Sequence, residues 1–130
     1  MITSNIKAVI HCDINKVWDT VTDIKKYHWR TDLSKVELIN EKKFVEYTKD
    51  GYSTKFITTF VEPYKRWEFD MENNNMTGHW IGTFTAIENG TCVDFTEYVM
   101  PKKWFMNLFI KQFLKKQQKQ FINDLKNTIE

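Results

Sequence analysis

The stretch PKKWFMNLFIKQFLKKQQKQFINDLKNTIE, residues 101–130, decides the fold, because it predicts one long amphipathic helix at the end of the sequence. Pro101 suits the first turn of a helix, and beyond it apolar side chains recur at helical spacing. A helix of about 27 residues would be about 40 Å long at about 1.5 Å per residue, enough to cross a small domain. The apolar side is formed by Trp104, Phe105, Leu108, Phe109, Phe113, Leu114, Phe121, Leu125 and Ile129, and the other side by Lys111, Lys115, Lys119, Asn123 and Lys126.

Six β-strands are predicted before this helix, separated by residues that favour turns. Asp50-Gly51 and Asn89-Gly90 suit tight hairpins, because these residue types tolerate positive φ. Pro63 and the Asn run at 73–75 mark two further turns. The strands are expected near residues 35–41, 43–49, 53–61, 66–72, 78–88 and 91–99.

The N-terminal part predicts one more strand and two short helices. Along residues 2–11 apolar and polar side chains tend to alternate, and several residues are β-branched, which is typical of a strand. Asp13 can cap a helix whose apolar stripe is Ile14, Val17, Trp18 and Val21. Asp23 is expected to cap a second short helix that runs to about His28.

This order of elements predicts an α+β fold in a single domain, residues 1–130. A seven-stranded antiparallel sheet has an apolar face that must be covered, and only the terminal helix is long enough to cover it. A curved sheet wrapped around a straight helix cannot contact it everywhere. The remaining space is filled either by core side chains or by a ligand.

Composition excludes several classes of protein. The net charge of +2 gives no basic field for nucleic acid. Cys12, Cys92 and the three histidines (His11, His28 and His79) lack metal-ligand spacing, so we expect no metal and no cofactor, and free cysteines. The N-terminus lacks a signal-peptide pattern and no run of about 20 apolar residues occurs, which predicts a cytoplasmic location.

Two motifs resemble a known superfamily. Residues 17–23, VWDTVTD, are followed by Tyr27 and Trp29, and residues 90–97 read GTCVDFTE. Together they resemble the opening and the final strand of the START-like helix-grip superfamily, also called SRPBCC or birch-pollen-allergen-like. The resemblance covers the whole chain in element order, although the proline that many members carry after Tyr27 and His28 is absent.

The resemblance implies a cavity between sheet and helix that binds lipids, polyketides or other hydrophobic molecules. We therefore expect a hydrophobic small molecule as the partner, in a binding module more than in an enzyme. One alternative is an enzyme of the cyclase or dehydrase type, with Glu97 or a histidine as acid and base. Another is a protein-interaction domain like the chaperone activators of this superfamily, for which a filled core and a large exposed apolar patch would be expected.

Glu97 is the candidate for chemistry in this cavity. On the last strand it shares a face with Val93, Phe95 and Val99, so alternation carries it inward. A carboxylate in an apolar cavity must find a partner or become neutral. The alternative is that Glu97 reaches solvent or pairs with a lysine such as Lys102.

Aromatic side chains supply most of the expected lining, although most of them are expected to be core, because a stripe of large apolar residues needs no ligand to explain it. Trp67 and Phe69 are expected to form the inward face of the strand near residues 66–72. Phe56 and Phe60 are expected to form the inward face of the strand before it. From Gly78 onward either face could be inner, and we favour the one with Trp80 and Phe84. The candidate ligand-binding residues are Trp29, Arg30, His28, Phe56, Phe60, Trp67, Phe69, Trp80, Phe84, Phe95, Glu97, Phe105, Phe109 and Phe113.

Two charged features have alternative interpretations. Arg30, near the expected mouth, could bind a ligand carboxylate or phosphate, or form an ion pair with Asp32. The terminal helix could be a solvated face over a buried one, or could contact an anionic membrane transiently. The lysines concerned are Lys102, Lys103, Lys111, Lys115, Lys116 and Lys119.

Overall fold

Seven antiparallel strands and two α-helices form the protein, as a computed structural model of residues 1–130 describes it. The α+β prediction, a seven-stranded sheet with a long C-terminal helix, is confirmed. The elements are β1 (Ile2–Ile10), α1 (Ile14–Thr22), β2 (Leu33–Leu38), β3 (Lys43–Thr48), β4 (Ser53–Glu62), β5 (Arg66–Glu72), β6 (Met76–Ile87), β7 (Gly90–Pro101) and α2 (Asn107–Ile129). A single 3₁₀ turn, Trp104–Met106, precedes α2.

The sheet is an open meander of β2 to β7, and β1 pairs along the β7 side of it. Its order is β1-β7-β6-β5-β4-β3-β2, so β1 pairs with the last strand and β2 lies at the opposite edge. In the β1–β7 register Ser4 lies opposite Glu97 and Ile6 opposite Phe95. The strand that leads into α2 is therefore fixed beside the N-terminus.

The long helix is anchored along β1. Ile110, Leu114, Ile122 and Leu125 are buried on its inner side, where α2 packs on β1. Gln118 joins the two elements by polar contacts that are described below. Neither helix has the length and hydropathy needed to cross a bilayer.

The second short helix, predicted from Asp23 to about His28, is wrong. Asp23 instead ends α1, and its backbone N–H donates to the Asp19 carbonyl. Isolated turn bonds follow, from Lys26 N to Asp23 O (3.2 Å) and from Arg30 N to Tyr27 O (2.9 Å). So short a segment gains too few successive helical hydrogen bonds to offset the cost of nucleation.

Phe60 was expected to face inward, and the structure contradicts this. The pairing of β4 with β5 shifts between Thr58 and Phe60, so β4 carries an irregularity there. An extra residue in one strand reverses the alternation of the residues beyond it. Phe56 is accordingly buried, whereas Phe60 is 46% exposed.

The inner face of β6 is the one that carries Trp80 and Phe84, both of which are buried. Gly78 and Gly82 flank Trp80 on the same face, and both lie where a side chain would clash. A Cβ atom on Gly82 would overlap the Trp80 indole, and one on Gly78 would lie 2.8 Å from the Tyr98 carbonyl oxygen. Glycine at 82 therefore lets the indole lie flat along its own strand.

This packing makes Gly82→Ala a specific test of the Trp80 position. We expect the substitution to lower the free energy of unfolding by about 1–3 kcal/mol, because the indole must move. In a Trp80→Leu background the same substitution should cost much less, since the clashing atoms are gone. Urea unfolding of the four proteins measures the coupling, and equal costs in both backgrounds would contradict the packing described here.

Candidate functional site

A cavity of about 790 Å³ lies between the inner face of the sheet and α2. Its lining comes from residues 21–33, from β2 to β7 and from the first four turns of α2. Several lining side chains are exposed, among them Tyr52, Phe105 and Phe109. The cavity therefore opens to solvent between the β3–β4 hairpin and the start of α2.

A band of aromatic rings forms the floor of this cavity. Each of the strands β3 to β7 contributes one ring, and α2 contributes the last. Neighbouring centroids are 4.7 to 5.7 Å apart, in stacked, tilted and edge-to-face arrangements. In order across the sheet the rings are Phe44, Phe56, Phe69, Trp80, Phe95 and Phe121, and all six line the cavity.

Most of the residues predicted for the site lie around this cavity. The ones that line it are Trp29, Arg30, Phe56, Trp67, Phe69, Trp80, Phe95, Glu97, Phe105, Phe109 and Phe113. Three predicted residues do not line it. Phe60 lies beyond the β4 irregularity, and His28 is exposed and stacks on Tyr27 at 4.4 Å. Phe84 is buried under α1, where it meets the Trp18 ring edge-on at 4.9 Å.

Glu97 faces the cavity from the middle of β7, as alternation predicted. Its Oε2 atom is buried and has no hydrogen-bond partner. Burial among apolar groups raises the pKa of its carboxyl to about 7, and the positive charge of Lys115 opposes this increase only in part. Glu97 is thus a carboxyl group that can be neutral or charged near neutral pH.

Polar groups near Glu97 form hydrogen bonds with other partners. Ser4, its partner across the β1–β7 pairing, donates through Oγ to Gln118 Oε1 at 2.8 Å. Gln118 Nε2 donates in turn to the Ser4 carbonyl oxygen at 3.1 Å. The Lys115 ammonium donates to the Asn5 carbonyl, and Lys102 pairs with Glu72 at 2.9 Å. The pairing of Glu97 with Lys102, considered as an alternative, is therefore wrong.

A second cluster of polar side chains, centred on Arg30, lies at the cavity beside Phe121 of α2. The Arg30 guanidinium lies 3.0 Å from the Asp32 carboxylate and 3.4 Å from the Glu46 carboxylate. Its central carbon, Cζ, lies 4.8 Å from the centre of the Phe121 ring. Burial raises the pKa of Glu46, although the Arg30 charge opposes this. The pKa of Arg30 is raised, because the attraction of the two carboxylates outweighs the effect of its burial.

The ion-pair interpretation of Arg30 is therefore confirmed, with a partner that the sequence analysis missed. Glu46 follows Phe44 by two residues on β3, so alternation places both on the inner face. The same argument that identified Glu97 would have identified Glu46. Three of the five guanidinium N–H groups of Arg30 are used in these bonds, and the two carboxylates beside it disfavour the approach of an anionic ligand.

None of the three histidines lines the cavity. His79 lies on the outer face of the sheet, where Nδ1 is 2.6 Å from Asp70 and Nε2 is 2.8 Å from Glu68. These two bonds raise the pKa of His79 despite its partial burial. His11 is exposed beyond β1, and its backbone N–H donates to Glu130. Of the acid and base candidates named from the sequence, Glu97 or a histidine, Glu97 is the one that lines the cavity.

Comparison with known proteins gives a family and a fold. The family model described as polyketide cyclase/dehydrase and lipid transport matches residues 1–130. No curated protein matches the chain. Among solved structures, a START superfamily protein from Mycobacterium smegmatis is similar at a TM-score of 0.84 and 11% identity, covering 98% of this chain and 96% of that one.

Two further structures have the same arrangement. A conserved protein from Geobacillus kaustophilus has a TM-score of 0.82 at 14% identity, over 97% of this chain and 93% of that one. DynU16, from the dynemicin biosynthetic locus, has a TM-score of 0.76 at 16% identity, over 96% of this chain and 46% of that one. At these identities the similarity shows the fold alone.

The environment of Glu97 predicts a pH-dependent cost in stability. Its pKa rises from an ordinary 4.5 to about 7 on folding, so below pH 4.5 the carboxyl is protonated in both states and no cost arises. Between about pH 4.5 and about pH 7 the unfolded state loses this proton while the folded state keeps it, so the free energy of unfolding falls by up to about 3 kcal/mol over that range and changes no further above it.

Glu97→Gln should remove this cost, so the variant should gain stability over the parent as pH increases from about 5 to about 8.5. Urea unfolding at both pH values measures the difference. Glu88→Gln, at an exposed position in the β6–β7 turn, is the matched control. A stability difference between Glu97→Gln and the parent that does not change with pH would contradict the buried, unpartnered carboxyl.

Proposed function

The chain belongs to the polyketide cyclase/dehydrase and lipid transport family, and we propose that it binds a hydrophobic small molecule between the sheet and α2. The observation that carries this proposal is the cavity of about 790 Å³ over a continuous floor of aromatic rings. Pockets for drug-sized ligands typically measure about 300–1,000 Å³ and have mostly apolar walls with a few polar groups. The cavity supports ligand binding over a protein-interaction domain, for which a filled core was expected.

The floor favours a ligand with a flat or extended apolar body. Six rings follow one another across five strands and α2, so their faces and edges present a broad surface. Burying apolar surface against it contributes roughly 25 cal/mol per Å². A polyketide-like ring system or an acyl chain of a lipid fits that description.

Glu97 would orient the ligand. A neutral carboxyl can donate one hydrogen bond and accept others, so it can meet a ligand carbonyl or hydroxyl. A ligand that supplied this bond would give the buried Oε2 atom the partner it otherwise lacks. A purely hydrocarbon ligand would leave Glu97 without a partner, so a ligand with one polar end is favoured.

A second function is proton transfer on a bound polyketide-like substrate. It is favoured by one observation, the carboxyl of Glu97, whose pKa of about 7 suits exchange of a proton near neutral pH. Glu97→Gln should then abolish turnover of such a substrate while binding persists. Unchanged turnover in the variant would remove Glu97 from the mechanism.

Ligand binding can be tested with two substitutions on the same helix. Gln117 lines the cavity, whereas Gln112 lies on the lysine-rich outer side of α2 and does not line it. Gln117→Trp should fill part of the cavity and weaken binding of the uncharged fluorescent probe N-phenyl-1-naphthylamine by at least about tenfold, or about 1.4 kcal/mol. Gln112→Trp adds the same side chain outside and should leave the affinity unchanged.

Native mass spectrometry of the purified protein complements this titration, because a copurified apolar compound would appear as added mass. Equal probe affinity in the two Trp variants would place the probe outside the cavity. A parent protein that accepts neither the probe nor any copurified compound would overturn the proposed function.

A further inference from the structure

The 3₁₀ turn before α2 and the first turns of α2 carry a group of exposed apolar side chains, which we call the mouth patch. Trp104 is 83% exposed and Leu108 is 76% exposed, which is unusual for residues of this size. Phe109 is two-thirds exposed, and about half of Phe105 and of Phe113 is exposed. The mouth patch is these five residues, Trp104, Phe105, Leu108, Phe109 and Phe113.

The anchoring of α2 explains why the mouth patch is uncovered. The buried residues of the helix begin at Ile110, and before them only Met106 is partly buried against the core. The helix therefore packs on β1 from its second turn onward, and its beginning extends past the core. Monomeric proteins rarely leave a contiguous apolar patch exposed without a function.

The part of the sequence that carries this patch is rich in positive charge. Residues 101–123 contain six lysines and no acidic residue, although the whole chain has a net charge of only +2. The rest of the protein therefore carries a net charge of −4. Lys103 and Lys111, next to Trp104 and one turn after Leu108, are exposed and form no ion pair.

We propose that the mouth patch docks on an anionic phospholipid bilayer. Aromatic and leucine side chains beside lysines are the combination that holds a helix at the interface of such a membrane. Lysines near an anionic surface add an electrostatic attraction to that of the apolar side chains. A second copy of the chain is disfavoured as the occupant, because a symmetric contact would bring the two lysine groups together.

Docking would also connect the membrane with the cavity. Phe105, Phe109 and Phe113 belong to the mouth patch and line the cavity as well. With the patch in the interface, the cavity opening faces the acyl chains, so a hydrophobic ligand can enter without crossing water. This consequence rests on the proposed function, whereas the docking itself needs no ligand.

Cosedimentation with vesicles tests the docking surface. The parent should bind vesicles of phosphatidylcholine with about a quarter phosphatidylserine, and should bind pure phosphatidylcholine at least about tenfold more weakly. Raising NaCl from about 0.1 M to about 1 M shortens the Debye length from about 10 Å to about 3 Å and should release most of the protein. A parent protein that does not bind the anionic vesicles at low salt overturns the proposal.

Two double variants locate the surface without altering the cavity. Trp104→Ser with Leu108→Ser removes apolar side chains that do not line the cavity, and should weaken vesicle binding by at least about tenfold. The matched control, Ile39→Ser with Val61→Ser, removes two exposed apolar side chains elsewhere and should bind like the parent. Equal loss in both variants, or no loss in the first, overturns the assignment to the mouth patch.

The charge contribution has its own pair of variants. Lys103→Glu with Lys111→Glu should reduce binding to the anionic vesicles by at least about tenfold. Lys16→Glu with Lys65→Glu makes the same change in net charge at the opposite end of the sheet and should have little effect. Equal loss in both would mean that net charge alone, and not this surface, attracts the protein.

Two further measurements separate docking from its alternatives. The Ser variant at positions 104 and 108 should keep the parent affinity for N-phenyl-1-naphthylamine in solution, so a defect in vesicle binding cannot be mistaken for a lost cavity. Light scattering of the parent should show a monomer. A dimer that the same two Ser substitutions dissociate, with no vesicle binding, overturns the proposal in favour of a second copy.

Discussion

The attachment of α2 to β1 determines the shape of the rest of the molecule. The helix is held at one edge of the sheet by buried apolar residues and by the two hydrogen bonds between Gln118 and Ser4. From that edge the sheet continues through six more strands, and a twisted sheet bends away from any straight rod. Distance between helix and sheet therefore increases toward β3 and β4, and side chains projecting from the sheet cannot fill it.

The same attachment explains the chemistry of Glu97. Register places Ser4 directly opposite Glu97, yet the Ser4 hydroxyl and carbonyl are both used by Gln118. The nearest cation, Lys115, donates to the backbone of β1. The contacts that fix the helix thus engage polar groups near the carboxyl, and Glu97 Oε2 is left without a hydrogen-bond partner.

Residues whose position follows from strand alternation were predicted correctly, and those that depend on long-range contacts were not. Phe69, Trp80 and Glu97 lie inside because residues two apart share a face. Phe60 was predicted to face inward because the local sequence contains no signal for the change of register in β4. Phe84 does face inward, but only the packing of α1 shows that Trp18 covers it.

The segment after α1 fails for a related reason. Thr31 bonds to Asp124 of α2 through both its backbone N–H and its hydroxyl, and Arg30 bonds to Glu46 of β3. Contacts with partners so far along the chain are invisible to a helix-periodicity argument. They hold the segment open as turns at the rim of the cavity, and this brings Trp29 and Arg30 to the lining while His28 stays in solvent.

The two departures from an ordinary folded core occur on one helix and at one cavity. Sequences usually agree with their fold at every level, and the exceptions are concentrated at functional sites. Here an apolar surface is left exposed at the start of α2, and a carboxyl group is left unsatisfied beside the helix one to two turns further on. Packing alone would favour a shorter helix that begins near Ile110 and a neutral residue at position 97. Apart from Met106, the residues from 104 to 109 and the buried acid add nothing to the core, so the most economical explanation for both is that they act on a molecule that enters between them.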